Sequence, residues 1–305
     1  MEKTEFRILY GHLACFVAYA IFGLNVIVCK DLTGSGTFSP LTLFSIRSLG
    51  AGILFWAISL FLPKEKVDIK DLPKIAAASF LGFFLTQITF LVAIPQVTPM
   101  TCSIISTLTP VYTMFIAAIA IKEPLSVKKI IGVATSLFGI IYLILNSVGR
   151  SSDIVENSVF GIVMIFLNGL SFALYLGIFR PLIGKYSVVT FMKWIFLFSI
   201  IMSVPFSAKE IVTAQWASIP STILWELLFL VIMATFVSYF LIPIGQKALR
   251  PTLVSMYSYI QPIIAIVASI ILGMDTLTWN KVAATLLVFA RVGIVNGSRK
   301  KKLNN

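Results

Sequence analysis

The sequence has very little with which to perform catalysis or hold a metal. It contains one histidine, His12, and Glu226 is the only acid inside an apolar segment. Its three cysteines, Cys15, Cys29 and Cys102, all fall in apolar runs. Their odd number and their spacing fit neither a disulfide framework nor a metal site, and they read as small packing residues. No cofactor and no metal is expected. The phosphate-cradling pattern G-x-x-x-x-G-K-[ST] does not occur, which excludes ATP-driven pumping by this chain. A membrane-embedded enzyme acting on lipid would need a cluster of acids, bases or nucleophiles. One histidine and one intramembrane acid do not supply it.

Charge is scarce as well. Asp, Glu, Lys and Arg make up 12% of the chain, against roughly 25% in a soluble domain. Hydrophobic residues make up 58%, with 25 phenylalanines. A soluble globule cannot hide that much apolar surface, so the solvent for most of the chain is lipid. The net charge of +12 does not argue for nucleic acid, because the basic residues lie in short connectors between apolar runs. That placement is a topology signal.

The apolar runs predict an all-α polytopic membrane protein with ten spans: 8–29, 40–62, 74–94, 99–121, 126–146, 158–179, 188–207, 222–243, 251–273 and 279–297. Each is close to the roughly 20 residues that cross a bilayer core. The first is too long for a signal-peptide core and lacks a small-residue cleavage site, so it reads as a retained helix. One interior linker stands out, "NSVGRSSDIVENS", and it divides the spans five and five.

Proline breaks that symmetry of apolar runs and then restores it. "TLTPVYTMFIAAIAIKEP" places Pro110 inside the fourth span, where a proline removes a helical hydrogen bond. Displaced by 152 positions, Pro99, Ser103, Ser106, Pro110, Leu125 and Lys129 fall on Pro251, Ser255, Ser258, Pro262, Leu277 and Lys281, and Glu123 falls on Asp275. At a similar offset Gly11 falls on Gly161 and Gln87 on Tyr239. So many matches in one register argue an internal duplication. An odd number of spans per copy forces the copies into opposite orientations. The expected domains are a first repeat over 1–146, an external linker over 147–157, a second repeat over 158–297 and a basic cytoplasmic tail over 298–305.

The distribution of basic residues orients the chain. With the N-terminus inside, the inner segments carry Lys3 and Arg7, then Lys64, Lys66, Lys70 and Lys74, then Lys122, Lys128 and Lys129, with more at Arg180, Lys185, Lys247, Arg250 and in the tail. The outer loops carry only Lys30, Arg150, Lys209 and Lys281. By the positive-inside rule both termini are cytoplasmic. Inverted repeats of this kind characterise secondary transporters.

"AIPQVTPMTCSIISTLTPVYTMFIAAIAIKEPLSVKKIIGVATSLFGIIYLI" resembles the first repeat of EamA-type permeases of the drug/metabolite transporter superfamily, and "GIVMIFLNGLSFALYLGIFR" resembles the opening of their second repeat. Arg47 in "PLTLFSIRSLG" also matches the family's habit. The resemblance covers nearly the whole chain. It implies ten helices in two inverted bundles around a central cavity, with substrate moved by alternating access. One departure is "LLVFARVGIVN", where Arg291 replaces a usually small residue.

Candidate site residues follow from spacing and depth. Pro110 and Pro262 each deprive a carbonyl four residues earlier of its partner, and those positions are Ser106 and Ser258. A free carbonyl in lipid must find protein, water or ligand. Either the kinks face a polar cavity, or they are packing features covered by the serines themselves. Ser103, Ser106, Pro110 and Thr113 share one helical stripe, as do Ser255, Ser258, Pro262 and Ser269. Asn168, Ser171 and Tyr175 form a further stripe, with Tyr19, Asn25, Gln87 and Tyr239 completing a cavity rich in hydroxyls, amides and aromatics. Arg47 and Lys193 lie inside spans, as candidates for gating or anion attraction or as snorkelling side chains. Glu226 and His12 are the first suspects should transport be proton-driven.

The resulting expectation is a secondary transporter of small amino-acid-like, neutral or zwitterionic metabolites, working as an exporter in a bacterial inner membrane. Its partners are a small-molecule substrate and the lipid bilayer, with a homodimer as a further expectation. The competing readings are a permease of the same fold for phosphorylated or nucleotide-linked metabolites, and a lipid-modifying enzyme. Phosphates favour clustered Arg and Lys, which the expected cavity lacks.

Overall fold

The structure, a computed structural model, describes residues 2–122 and 158–273. The expected spans 126–146 and 279–297, the linker 147–157, the tail 298–305, and Glu123, Asp275, Lys281 and Arg291 lie outside the described residues.

All regular structure among the described residues is helical. Six helices are long and apolar enough to cross a membrane: α1 (Glu2–Gly34), α2 (Pro40–Leu60), α3 (Ile69–Gln96), α6 (Val159–Ile178), α8 (Val188–Thr213) and α9 (Ser221–Ala248). The fourth expected span is broken into α4 (Pro99–Ser106) and α5 (Thr109–Ala120). The ninth is broken into α10 (Pro251–Met256) and α11 (Ile260–Ile271) around a 3-10 turn at Tyr257–Tyr259. A short α7 (Arg180–Lys185) joins α6 to α8.

Local chemistry sets the starts of several helices. Ser39, Ser158 and Ser187 each adopt extended backbone and accept the N–H three residues on: Thr42 at 3.3 Å, Gly161 at 2.9 Å and Thr190 at 3.2 Å. These are side-chain N-caps, which satisfy one of the orphan donors of a first turn. Two of them are reinforced from afar. Glu210, near the end of α8, accepts from the Ser39 N–H, the Ser39 hydroxyl and the Thr42 hydroxyl at 2.6–2.7 Å. Glu65, just beyond α2, accepts from the Ser187 N–H. Each helix of the α2–α8 pair therefore has its N-terminus met by a carboxylate from the other's C-terminal end, where a negative charge suits the helix dipole. Between the ends, Phe55 stacks on Phe196 at 5.3 Å and Ser207 donates to Ser45 at 2.6 Å.

Several helices run beyond the expected boundaries. α1 reaches Gly34, α3 begins at Ile69, α8 continues through Pro205 to Thr213 and α9 through Pro243 to Ala248. Asp31, Asp71 and Glu210 consequently lie on helical turns, so Glu226 is not alone among acids in the long helices. The physical reason is that these end turns bond to neighbouring elements, which apolar run length does not record.

Two helices contain a π-helical turn, over Phe80–Leu85 in α3 and over Ile232–Val237 in α9. Both are six residues long, 152 positions apart. The residue following each turn staples it: the Thr86 hydroxyl donates to Leu81 O at 2.7 Å and the Ser238 hydroxyl to Met233 O at 2.9 Å. The next residues, Gln87 and Tyr239, meet directly, with Gln87 Nε2 donating to Tyr239 Oη at 2.8 Å.

Packing interlocks the two halves. α1 packs along α9 and α11, while α6 packs along α3 and α5. Glycines allow the closest approaches. A Cβ at Gly245 would lie 2.2 Å from Cys15 Sγ, and one at Gly82 would lie 2.3 Å from the Tyr175 ring.

Candidate functional site

The interlocked helices leave a cavity that is partly open to solvent. α1 supplies Tyr19, Phe22, Asn25 and Val26, and α3 supplies Thr86, Gln87 and Phe90. Asn168 and Phe172 come from α6, and Tyr239 from α9. The two broken spans contribute at their breaks: Ser106 and Thr109 from one, Ser258 and Gln261 from the other. None of these described lining residues is charged.

The breaks are why the serines reach it. α4 ends at Ser106 and α5 begins at Thr109, so Pro110 occupies the first turn of a new helix, where its missing N–H is no loss. Ser106 donates to Cys102 O at 2.8 Å. In the other half the chain tightens into a 3-10 turn, and the Ser258 hydroxyl bonds to no other residue although Ser258 is only 2% exposed. The two prolines therefore do the same work by different local geometries.

Of the expected cavity residues, Tyr19, Asn25, Gln87, Ser106, Asn168, Tyr239 and Ser258 come together around this space. Three do not line it. Ser171 donates to Leu81 O at 2.7 Å and so serves the π turn of α3. Tyr175 lies over Gly82. Ser255 donates to Thr252 O at 2.9 Å, within its own helix. The Ser103 side chain lies outside the described residues. Asn168 both lines the cavity and braces its wall, donating to Thr86 O at 2.6 Å.

The cavity's polarity is partly unspent. Gln87 Nε2 is engaged by Tyr239, but Gln87 Oε1 accepts from no residue, and the Tyr19 hydroxyl is likewise unpaired. Tyr19 is 1% and Gln87 6% exposed. Buried polar groups are nearly always paired, and Gln87 Oε1 and the hydroxyls of Tyr19 and Ser258 are three around this cavity that no residue engages. Around them Tyr19, Phe22 and Tyr239 form an edge-to-face chain, with ring centroids 5.8 Å apart at each step.

The charged candidates separate. Arg47 is fully buried, so it does not snorkel. Its Nε donates to Thr235 Oγ1 at 2.8 Å and its Nη2 to Ala234 O at 3.3 Å, both in the π turn of α9, while Nη1 has no partner. Lys193 sits over the Trp56 ring, 5.0 Å from its centroid. His12 Nδ1 shares a hydrogen bond with the Tyr257 hydroxyl, beside the break that carries Ser258. Glu226 is partly buried and faces Asp31 of α1. None of the four lines the cavity.

Other functional-looking groups had no local signal. Lys30 donates to the carbonyls of Ile94, Pro95 and Val97 at 2.9–3.0 Å, closing the end of α3. At the other end of that helix, Asp71 accepts from Lys74, Lys185 and Tyr186 at 2.5–2.9 Å. The Asp71 carboxylate raises the Lys185 pKa, so this ammonium stays charged throughout the neutral range. Lining residues Phe22, Val26, Thr86, Phe90, Thr109, Phe172 and Gln261 were also unforeseen, although Phe22 lies three residues from both Tyr19 and Asn25.

Long apolar helices around a polar interior cavity define an integral membrane protein. The EamA-like transporter family matches residues 9–145 and again 159–297, and the chain belongs to that family. An "Uncharacterized transporter" of Archaeoglobus fulgidus is 23% identical over 257 residues, covering 84% of this chain and 88% of that protein. The "Uncharacterized transporter YetK" of Bacillus subtilis is 22% identical over 263 residues, covering 85% and 78%. A crystal structure 14% identical in sequence superposes with a TM-score of 0.66, covering 97% of this chain and 98% of its own, which shows a shared fold.

Proposed function

We propose that this protein is a secondary transporter that exports small neutral or zwitterionic, amino-acid-like metabolites by alternating access. The observation that carries the reading is the meeting of both helix breaks, at Ser106 and Ser258, on one uncharged polar cavity. Substrate sites in such transporters lie where discontinuous helices of two repeats face each other.

The full architecture we infer is ten helices in two inverted five-helix repeats, with both termini cytoplasmic in a bacterial inner membrane. Support comes from the doubled family match, from the paired π turns 152 residues apart and from the reciprocal carboxylate caps of α2 and α8. In this reading the axis relating the repeats passes between Gln87 and Tyr239. Tyr19, Asn25, Gln87, Ser106, Asn168, Tyr239 and Ser258 are the proposed substrate contacts. Phosphorylated and nucleotide-linked substrates are disfavoured by the absence of Arg and Lys from the described lining.

The test compares metabolites in the medium of cells with and without the protein. A difference is expected, and a Ser106→Ala, Ser258→Ala double variant made at equal level should lose most of it. Unchanged export by that variant would refute the assignment of the serines.

A further inference from the structure

The unpaired groups of the cavity specify more than polarity. Gln87 Oε1 can only accept a hydrogen bond, and it is the end of the amide left free, since Nε2 donates to Tyr239 Oη. The hydroxyls of Tyr19 and Ser258 can each donate, and neither is used by another residue. An acceptor and two free donors lining one cavity complement a ligand edge that presents N–H next to C=O. Ring surface is supplied by Phe22, Phe90, Phe172 and Tyr239, and the small or uncharged polar side chains of Asn25, Val26, Thr86, Ser106, Thr109, Asn168 and Gln261 complete the wall.

Charge discriminates among molecules that carry such an edge. An ammonium group could use Gln87 Oε1 and the ring faces, but no carboxylate lines the described cavity to neutralise it. The buried Arg47 guanidinium is also held at Thr235, four residues or about one turn from Tyr239. A carboxylate would meet Gln87 Oε1, acceptor against acceptor, with no cation in the described lining. Burying either charge without a partner costs far more than burying a neutral amide whose hydrogen bonds are made.

We propose that the cavity selects uncharged ring compounds through a carboxamide or lactam edge, with N–H on Gln87 Oε1 and C=O on the hydroxyls of Tyr19 and Ser258. This rests on the transporter reading for its biological sense and narrows the substrate class to neutral molecules. It stands on the cavity's geometry for its chemistry.

Four molecules of nearly one size test it: hydrocinnamamide, hydrocinnamate, phenylpropylamine and phenylalanine, which are neutral, anionic, cationic and zwitterionic near neutral pH. Binding to the purified full-length protein in detergent is measured by titration calorimetry. The amide should bind at least roughly ten-fold tighter than each charged analogue, the equivalent of one good hydrogen bond or more. Gln87→Met should remove that advantage, and Gln87→Glu should transfer it to phenylpropylamine. Tyr19→Phe provides a second variant should the Gln87 substitutions fail to fold. A charged analogue binding as tightly as the amide, or no binding by any of the four, overturns the inference. The assay needs no flux, so the two readings fail separately. Flux of another metabolite without amide binding defeats only this inference, and amide binding without any flux defeats only the transporter.

Discussion

Arg47 is a fully buried cation on a membrane-spanning helix. Among the described residues its guanidinium has no acidic partner within hydrogen-bond range; it bonds only to Thr235 and Ala234. A charge near the centre of a membrane helix costs about 2.5–3.5 kcal/mol on insertion scales, and its two hydrogen bonds recover only part of that. Replacing buried charged groups with well-packed apolar side chains of similar volume is often neutral or stabilising. Arg47→Met should therefore melt at or above the wild-type temperature in detergent, while transport falls. Loss of transport with a collapsed melt would instead make Arg47 structural. Thr235→Val should do the opposite, since it removes the Arg47 Nε partner and leaves a buried donor unsatisfied, at about 1–3 kcal/mol. An unchanged melt for Thr235→Val would show that the bond carries no stability.

At the scale of elements, the paired π turns and the broken spans decide where polar groups point. A π turn frees backbone carbonyls, and Thr86 and Ser238 cover the matching ones. Thr86→Val and Ser238→Ala should each cost roughly 1 kcal/mol and raise hydrogen exchange in the turn that each staples. Equal exchange in variant and wild type would count against the staples. Sequence reading found the breaks because proline has a strong local signature, and it found Ser106 and Ser258 because they lie four residues before the prolines. It did not find the π turns, since one extra residue in a helical turn leaves no trace in composition or periodicity. Nor did it separate Ser171 from Asn168, because a shared helical stripe does not say which hydroxyl a neighbouring carbonyl will claim. The Glu210 and Glu65 caps were invisible for another reason: their partners lie 171 and 122 residues away. Only the tertiary fold brings them together.

At the scale of the molecule, the halves are exchanged as well as repeated. α1 rests on α9 and α11, and α6 on α3 and α5, so among the described helices each half's first helix packs mainly against the other half. The halves expressed separately, from a chain divided within 147–157, should therefore be degraded, while co-expression should restore a complex that co-purifies. A stable half made alone would contradict that packing. The membrane character and the helical class were legible in composition, because lipid as solvent leaves its mark on nearly every residue. The cavity's outline was legible only in part, since the rings that wall it are indistinguishable in sequence from those that face lipid.

We infer that substrate crosses the membrane through the cavity where the two broken spans meet. Its most direct test is flux of radiolabelled metabolites into liposomes containing the purified protein, with no nucleotide present. Saturable uptake is expected, equilibrating across the bilayer and falling at least roughly ten-fold in the Ser106→Ala, Ser258→Ala variant, whose two lost hydroxyl contacts are worth about 1 kcal/mol or more each. No flux across a broad metabolite panel, accompanied by turnover of the liposome lipid, would contradict it.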